Sequence, residues 1–189
     1  MAEILLFHHA QGRTEGFLAF AEELRAAGHV VHAPDLYEGK TFAELADGVS
    51  YADEQVGVYA IIERGAASAQ DLPAEIVYAG FSLGALPAQM LAQARPGAQG
   101  ALLLHGCVPT SEFERPWPDG VPLQIHTMDR DEWVELDVAH DLVAEIEQAE
   151  LFLYPGDGHL FADSSLSDFD QKAAALLKER TLAFLEAVG

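Results

Sequence analysis

The sequence predicts an α/β fold: a mostly parallel central sheet of about six strands, with helices on both faces, in one domain over residues 1–189. Two observations predict it. Short apolar runs alternate with amphipathic helical patterns along the whole chain, the order in which right-handed strand–helix crossovers are written. Several of the runs are apolar without a clean period of two, as strands covered on both faces are. No linker, repeat or low-complexity segment interrupts the alternation.

The strand-like runs are "EILLFHH" (3–9), "HVVHAPDLY" (29–37), "EIVYAGF" (75–81), "GALLLHG" (100–106), "PLQIHTM" (122–128) and "ELFLYPG" (150–156). Between the first two, residues 14–27 open on Thr14 and stop at Gly28, an N-cap and a C-terminal glycine. Residues 41–70 read as two helices split near Gly48. Residues 83–95 form a helix that ends before Pro96-Gly97, and 134–148 form the next. The last, about 168–187, sets Phe169, Ala173, Leu176, Leu177, Phe184, Leu185 and Val188 on one stripe. The stretches 107–121 and 157–165 are loops.

Composition narrows the function. The net charge of -21 opposes nucleic acid and anionic lipid surfaces, which need a basic face. No run approaches the roughly 20 apolar residues of a membrane helix. No signal peptide is recognisable, and the single cysteine, Cys107, suits a reducing compartment, so a cytoplasmic location is expected. No G-x-G-x-x-G, G-K-[ST], H-E-x-x-H or cysteine cluster is present, so no metal, nucleotide or other cofactor is expected. A homodimer stays open as an arrangement.

In parallel α/β sheets ligands sit at the carboxyl ends of the strands. The residues there are His9, Ala10, Gln11 and Gly12; Asp35; Ser82; Gly106 and Cys107; Met128 to Asp131; and Asp157, Gly158 and His159. Ser82 lies in Gly80-Phe81-Ser82-Leu83-Gly84, a G-x-S-x-G between a strand and a helix. In this composition roughly 0.05 such matches are expected by chance. A hydroxyl needs a base, an acid behind the base and donors for an oxyanion. His159, in a loop made flexible by Gly156 and Gly158, is the base. His8, His105, His126 and His140 fall inside predicted strands or a helix and read as structural. The acid belongs between Ser82 and His159 in chain order. Asp129 and Asp131 both fit, Asp137 less well, and spacing does not separate the first two. Leu83 N–H and an amide of the first loop, from Ala10 or Gln11, would hold the oxyanion; Ala10 is taken. His9 and Gln11 in that loop, with Tyr37, Trp133 and Phe161 after other strand ends, are expected to line the substrate site.

These motifs together, "LLFHHAQG", "APDLYEG", "GFSLGA", "LQIHTMDRDEWV" and "YPGDGHLF" before a closing helix, resemble the dienelactone hydrolase family of α/β-hydrolases over nearly the whole chain. The resemblance implies an α/β-hydrolase fold and a cofactor-free hydrolase with a nucleophile–His–Asp triad. It favours Asp131, since the family's aspartate is followed by an aromatic and a valine, here Trp133-Val134. In the namesake enzymes the nucleophile is cysteine and a glutamate in the first loop regulates it; Ser82 and His9 stand at those places. No arginine matches those that hold the lactone carboxylate, although Arg13 and Arg130 lie near the motifs. Pro87 is expected to kink or shift the start of the helix after Ser82. The expected activity is hydrolysis of a small carboxylic ester, lactone or thioester through an acyl-enzyme. The alternatives are a non-catalytic ligand-binding protein of the same fold and an acyltransferase with the same triad.

Overall fold

Alternation between two cores explains why the strands lack a polar face. In the computed structural model, which describes residues 1–189, Leu5, Phe7, Tyr78, Ala101, Leu103, Leu123 and Ile125 point to one side of the sheet. Ile4, Leu6, Val77, Ala79, Phe81, Leu102 and Leu104 point to the other. The six strands are β1 (Glu3–Phe7), β2 (Val30–His32), β3 (Val77–Phe81), β4 (Gly100–Leu104), β5 (Leu123–Met128) and β6 (Ala149–Tyr154). They are parallel throughout, in the order β2-β1-β3-β4-β5-β6. Successive residues of the three central strands therefore enter opposite apolar layers, and both sides must be apolar.

Helices α1 (Glu15–Ala26) and α6 (Gln171–Val188) cover one face through Phe17, Phe20, Leu24, Leu177, Phe184 and Leu185. Helices α2 (Leu45–Tyr51), α3 (Val58–Ser68), α4 (Ala85–Ala94) and α5 (Leu136–Glu145) cover the other, through Ile61, Ala88, Leu91 and Leu142 among others. Each large side chain fully removed from water in these layers contributes about 1.5–3 kcal/mol. The fold class expected from the sequence is the one found.

Several boundaries differ, each for a local reason. The second strand stops at His32 rather than running to 37, because Pro34 has no amide to give a ladder and Asp35 turns the chain. The Asp35 carboxylate accepts the amides of Tyr37 (2.8 Å) and Gly39 (2.6 Å). The 41–70 region does hold two helices, but the break is not at Gly48. That residue lies inside α2, where a Cβ would collide with the carbonyl of Ala10. The break is at Gly57, with φ +87° after a wide π-type turn over Ala52–Val56, a conformation that favours glycine. The stripe on α6 is narrower than expected: Phe169 precedes the helix, and it and Leu176 are exposed. Thr14 caps α1 as predicted, accepting the amide of Phe17.

Pro87 does not kink α4. A 3₁₀ turn over Ser82–Gly84 precedes the helix, so Pro87 is the third residue of α4, where an amide has no helical partner to lose. Its ring packs against α3 at Gly65, where a Cβ would strike it.

Candidate active site

The turn that carries Ser82 explains the G-x-S-x-G pattern sterically. Ser82 has φ +49°, left-handed backbone that serine adopts only under constraint. The constraint is the chain folding back on itself. A Cβ on Gly80 would collide with the carbonyl of Gly84. A Cβ on Gly84 would stand 2.6 Å from the carbonyl oxygens of Phe7 and His8 at the end of β1. With both side chains absent, β3 turns into α4 within three residues and Ser82 stands at the strand end.

The structure brings three predicted residues together. Ser82 Oγ lies 2.7 Å from His159 Nε2, and His159 Nδ1 lies 2.7 Å from Asp131 Oδ2. The Asp131 side chain has no exposure and that of His159 has 5%. The other Asp131 oxygen accepts the Trp133 amide at 2.9 Å, so both oxygens have fixed roles. Geometry also separates the two candidate acids. Asp129 is exposed, accepts the Gly156 amide (3.0 Å), lies 3.8 Å from Arg130, and does not reach the histidine. Asp137 is exposed in the first turn of α5. The His159 loop is held from behind by Asp168, whose carboxylate accepts the His159 amide at 3.1 Å.

The first loop starts against the Ser82 elbow, where the His8 carbonyl would meet a Cβ on Gly84. Leu83 N–H is in the first turn after Ser82, where amides have no intrahelical partner. In the loop after β1, Gln11 N–H donates to His9 Nδ1 (3.2 Å), whereas Ala10 N–H finds no acceptor in the chain.

Four of the five residues expected to line a substrate pocket do not do so. His9 is fully buried, with Nε2 2.8 Å from Asp163 Oδ2. Tyr37 is fully buried against His8, Phe42 and Tyr51, because the chain turns inward at Asp35. Phe161 is buried beneath the site, packed edge-on to His105 at 4.6 Å. Gln11 turns away and donates to the carbonyls of Phe42 (3.1 Å) and Ala43 (2.8 Å), fastening the loop before α2. Trp133 differs from these four in being exposed. It is 56% exposed, its ring centroid lies 5.9 Å from that of His159, and it borders an open groove of about 420 Å³ with Arg130, Glu132 and Asp157. Arg130 is exposed there, while Arg13 is half-buried in the first loop with its Nε unpaired.

Sequence reasoning missed two residues. The apolar run "GALLLHG" puts His105 inside a strand, but β4 ends one residue earlier. His105 has φ +65°, is fully buried and lies between Phe81 (5.2 Å), Phe161 and His159 (6.3 Å). Neither ring nitrogen has a partner. Burial, with repulsion from His159, pushes its pKa well below the usual imidazole range, so the ring is neutral. His8 also lies past its strand. Nδ1 donates to the His9 carbonyl (2.8 Å), Nε2 accepts the Leu36 amide (3.0 Å), and burial lowers its pKa to about 4. His126 reads correctly as structural, and His140 is exposed on α5. The second missed residue is Asp163, four beyond His159. Burial would raise its pKa, but hydrogen bonds from His9, Ser165 and Thr14 outweigh that and hold it at about 2. A carboxylate shortly after the histidine was its only sequence signal.

Cys107 is no rival nucleophile. It is half-buried against the core, and burial, with Glu135 nearby, pushes its thiol up to about 12. No group of three or more His, Cys, Asp or Glu side chains converges as a metal site requires. No helix is long and apolar enough to cross a membrane.

The comparisons agree with this architecture. The family model for the dienelactone hydrolase family matches residues 2–189. No curated protein matches the sequence. Among solved structures, a dienelactone hydrolase from Anabaena variabilis superposes with a TM-score of 0.72 at 17% identity, covering 100% of this chain and 87% of its own. A dienelactone hydrolase-like promiscuous phosphotriesterase from metagenomic libraries gives 0.77 at 15% identity, covering 100% and 87%. A thermophilic esterase from Thermogutta terrifontis gives 0.64 at 20% identity, covering 100% and 84%. The chain has the α/β-hydrolase fold, belongs to the dienelactone hydrolase family, and by that membership is a carboxylic ester hydrolase.

Proposed function

We propose that the protein hydrolyses small carboxylic esters or lactones through an acyl-enzyme formed on Ser82. The observation that carries the reading is the continuous chain from Ser82 Oγ through His159 to the buried Asp131, with both links at 2.7 Å and the serine on a left-handed turn. The roles follow from atoms. His159 Nδ1–H donates to Asp131, which leaves Nε2 unprotonated and facing the hydroxyl. Ser82 Oγ attacks the substrate carbonyl as Nε2 takes its proton. The same proton then passes to the departing alkoxide, leaving an ester on Ser82. Water, deprotonated by Nε2, attacks that ester, releases the acid and returns Ser82 to its hydroxyl form.

The negative oxygen of each tetrahedral intermediate would sit between Leu83 N–H and Ala10 N–H, the partial positive end of the turn into α4 adding to the first. A small substrate would reach Ser82 past Trp133, which is exposed and whose ring centroid lies 5.9 Å from that of His159. The protein's net charge of -21 disfavours polyanions, and the exposed Arg130 is the cation nearest the groove beside Trp133.

A panel of nitrophenyl esters and lactones tests the reading, with Ser82→Ala beside the native protein. Hydrolysis lost in the variant, with its melting temperature retained, supports it. Unchanged turnover in Ser82→Ala sinks it.

A further inference from the structure

The proposed site needs two loops in register, and the sheet does not connect them. Ala10 follows β1 and His159 follows β6, with β3, β4 and β5 between those strands. We propose that the buried His9–Asp163 pair is a clasp that joins the two loops over the strand ends, and that His9 and Asp163 are positioning residues which aim Ala10 N–H at the oxyanion while His159 faces Ser82. The inference rests on the Ser82 reading above.

Every polar side-chain atom of the pair is committed. His9 Nδ1 accepts Gln11 N–H (3.2 Å) and Nε2 donates to Asp163 Oδ2 (2.8 Å), which fixes a neutral ring with its proton on Nε2. Asp163 Oδ2 also accepts the Thr14 hydroxyl. Oδ1 accepts the amide (2.9 Å) and hydroxyl (2.6 Å) of Ser165, whose hydroxyl oxygen in turn accepts the amide of Gly16 (3.0 Å). One carboxylate thus ties together the first loop, the first turn of α1 and the segment just past His159. Neither side chain of the pair has any exposure. Space has been left for it: a Cβ on Gly16 would collide with Asp163 Oδ1. The start of α1, the partial positive end of the helix dipole, is a favourable place for a buried carboxylate.

The clasp also decides between the loop's two candidate oxyanion donors, Ala10 N–H and Gln11 N–H. By accepting Gln11 N–H, His9 takes that donor out of competition with its neighbour Ala10 N–H, which has no acceptor in the chain. The ring is fully buried, edge-on to Phe17 at 6.4 Å and tilted on Phe81 at 6.2 Å, and turning it would break both of its hydrogen bonds. Phe81 immediately precedes Ser82, so the clasp rests on the nucleophile's own strand.

An oxyanion donor acts on the transition state rather than on bound substrate, so the clasp should act on kcat and not on KM. The test uses the full chain and a nitrophenyl acetate, with active sites counted by labelling to completion with a fluorophosphonate. Per labelled site, His9→Phe and Asp163→Ala should each lower kcat by about 10²–10³-fold, the size of a lost oxyanion donor, while KM moves by less than about threefold. Affinity for a trifluoromethyl ketone, which builds an oxyanion on serine, should fall in step with kcat. His9→Gln returns an N–H donor toward Asp163 and should recover kcat to within about tenfold of the native value.

A native per-site kcat in His9→Phe overturns the clasp. So does a change carried by KM, or a His9→Gln variant no better than His9→Phe. If His9→Phe does not fold, Asp163→Asn, which keeps the volume and loses the charge, is read by the same kcat-against-KM split, and a native kcat there overturns the clasp. The two readings fail separately. Turnover that survives Ser82→Ala removes the nucleophile, whereas turnover that needs Ser82 but ignores His9 and Asp163 removes the clasp alone.

Discussion

Asp131→Asn is the sharpest perturbation of the proposed chemistry, because the structure fixes which way the new amide would point. Asp131 Oδ1 accepts the Trp133 amide at 2.9 Å and Oδ2 faces His159 Nδ1 at 2.7 Å. An asparagine keeps its oxygen on the Trp133 donor, since its NH₂ cannot face another N–H. The NH₂ is then turned toward His159 Nδ1, and Nδ1 must become an acceptor. The imidazole proton moves to Nε2, the atom that has to receive the serine proton. The base is thereby blocked without loss of volume or packing. A wrong tautomer of this kind costs roughly 10⁴-fold in kcat, or about 5.4 kcal/mol at the transition state. Ester hydrolysis at saturating substrate measures it, with thermal melting as a control for folding. Asp129→Asn is the matched comparison. It alters an exposed carboxylate that holds the Gly156 amide, and should change kcat by less than about threefold. A loss under tenfold in Asp131→Asn, or equal losses in the two variants, would refute the tautomer argument.

Three further outcomes are expected. His105→Phe removes two buried nitrogens that have no partner, each worth about 1–3 kcal/mol of desolvation, so it should raise the melting temperature by a few degrees; calorimetry showing a lower value contradicts this. Burial, with Arg180 nearby, lowers His126 to about 3, so an unfolded chain takes up a proton below its usual value of 6.5 that the folded chain refuses. Stability from this group is therefore complete above pH 6.5 and falls by about 1.4 kcal/mol per unit as pH drops toward 3. Urea unfolding at pH 7 and pH 5 should show about 2 kcal/mol more loss in the native protein than in His126→Gln, and equal losses would dismiss the effect. The Cys107 thiol, at about 12, should resist iodoacetamide at pH 8 until the protein unfolds, and rapid labelling of the folded protein would contradict its burial.

The parts of the fold that the sequence reveals are those written locally. The double-sided strands show as unbroken apolar runs. The elbow shows as two glycines that steric exclusion makes obligatory. Ser82, Asp131 and His159 each follow a strand end in the order the fold requires. Two kinds of feature were hidden. One turns on a single residue of boundary. His105 reads as the tail of "GALLLH", and only its left-handed φ of +65° takes it out of β4 and under His159. The other is long-range pairing. His9 looks like a substrate contact because it follows β1, yet its partner Asp163 lies 154 residues away, and nothing local reports that the two meet in the interior. Tyr37 misled for a related reason, since the Asp35 turn carries its ring inward. Gly48 and Gly57 show the limit of punctuation by glycine. Both sit between helical patterns, one to let α2 lie against Ala10 and the other to break the helix.

The central claim is that Ser82 is acylated during turnover. Acid-quenching the protein during steady hydrolysis of a nitrophenyl acetate, followed by digestion and mass spectrometry, tests it most directly. The account predicts one acetyl group, on the peptide that carries Ser82, and none in Ser82→Ala. Steady turnover with that peptide unmodified, or acetyl carried on His159 or Cys107 instead, would contradict it.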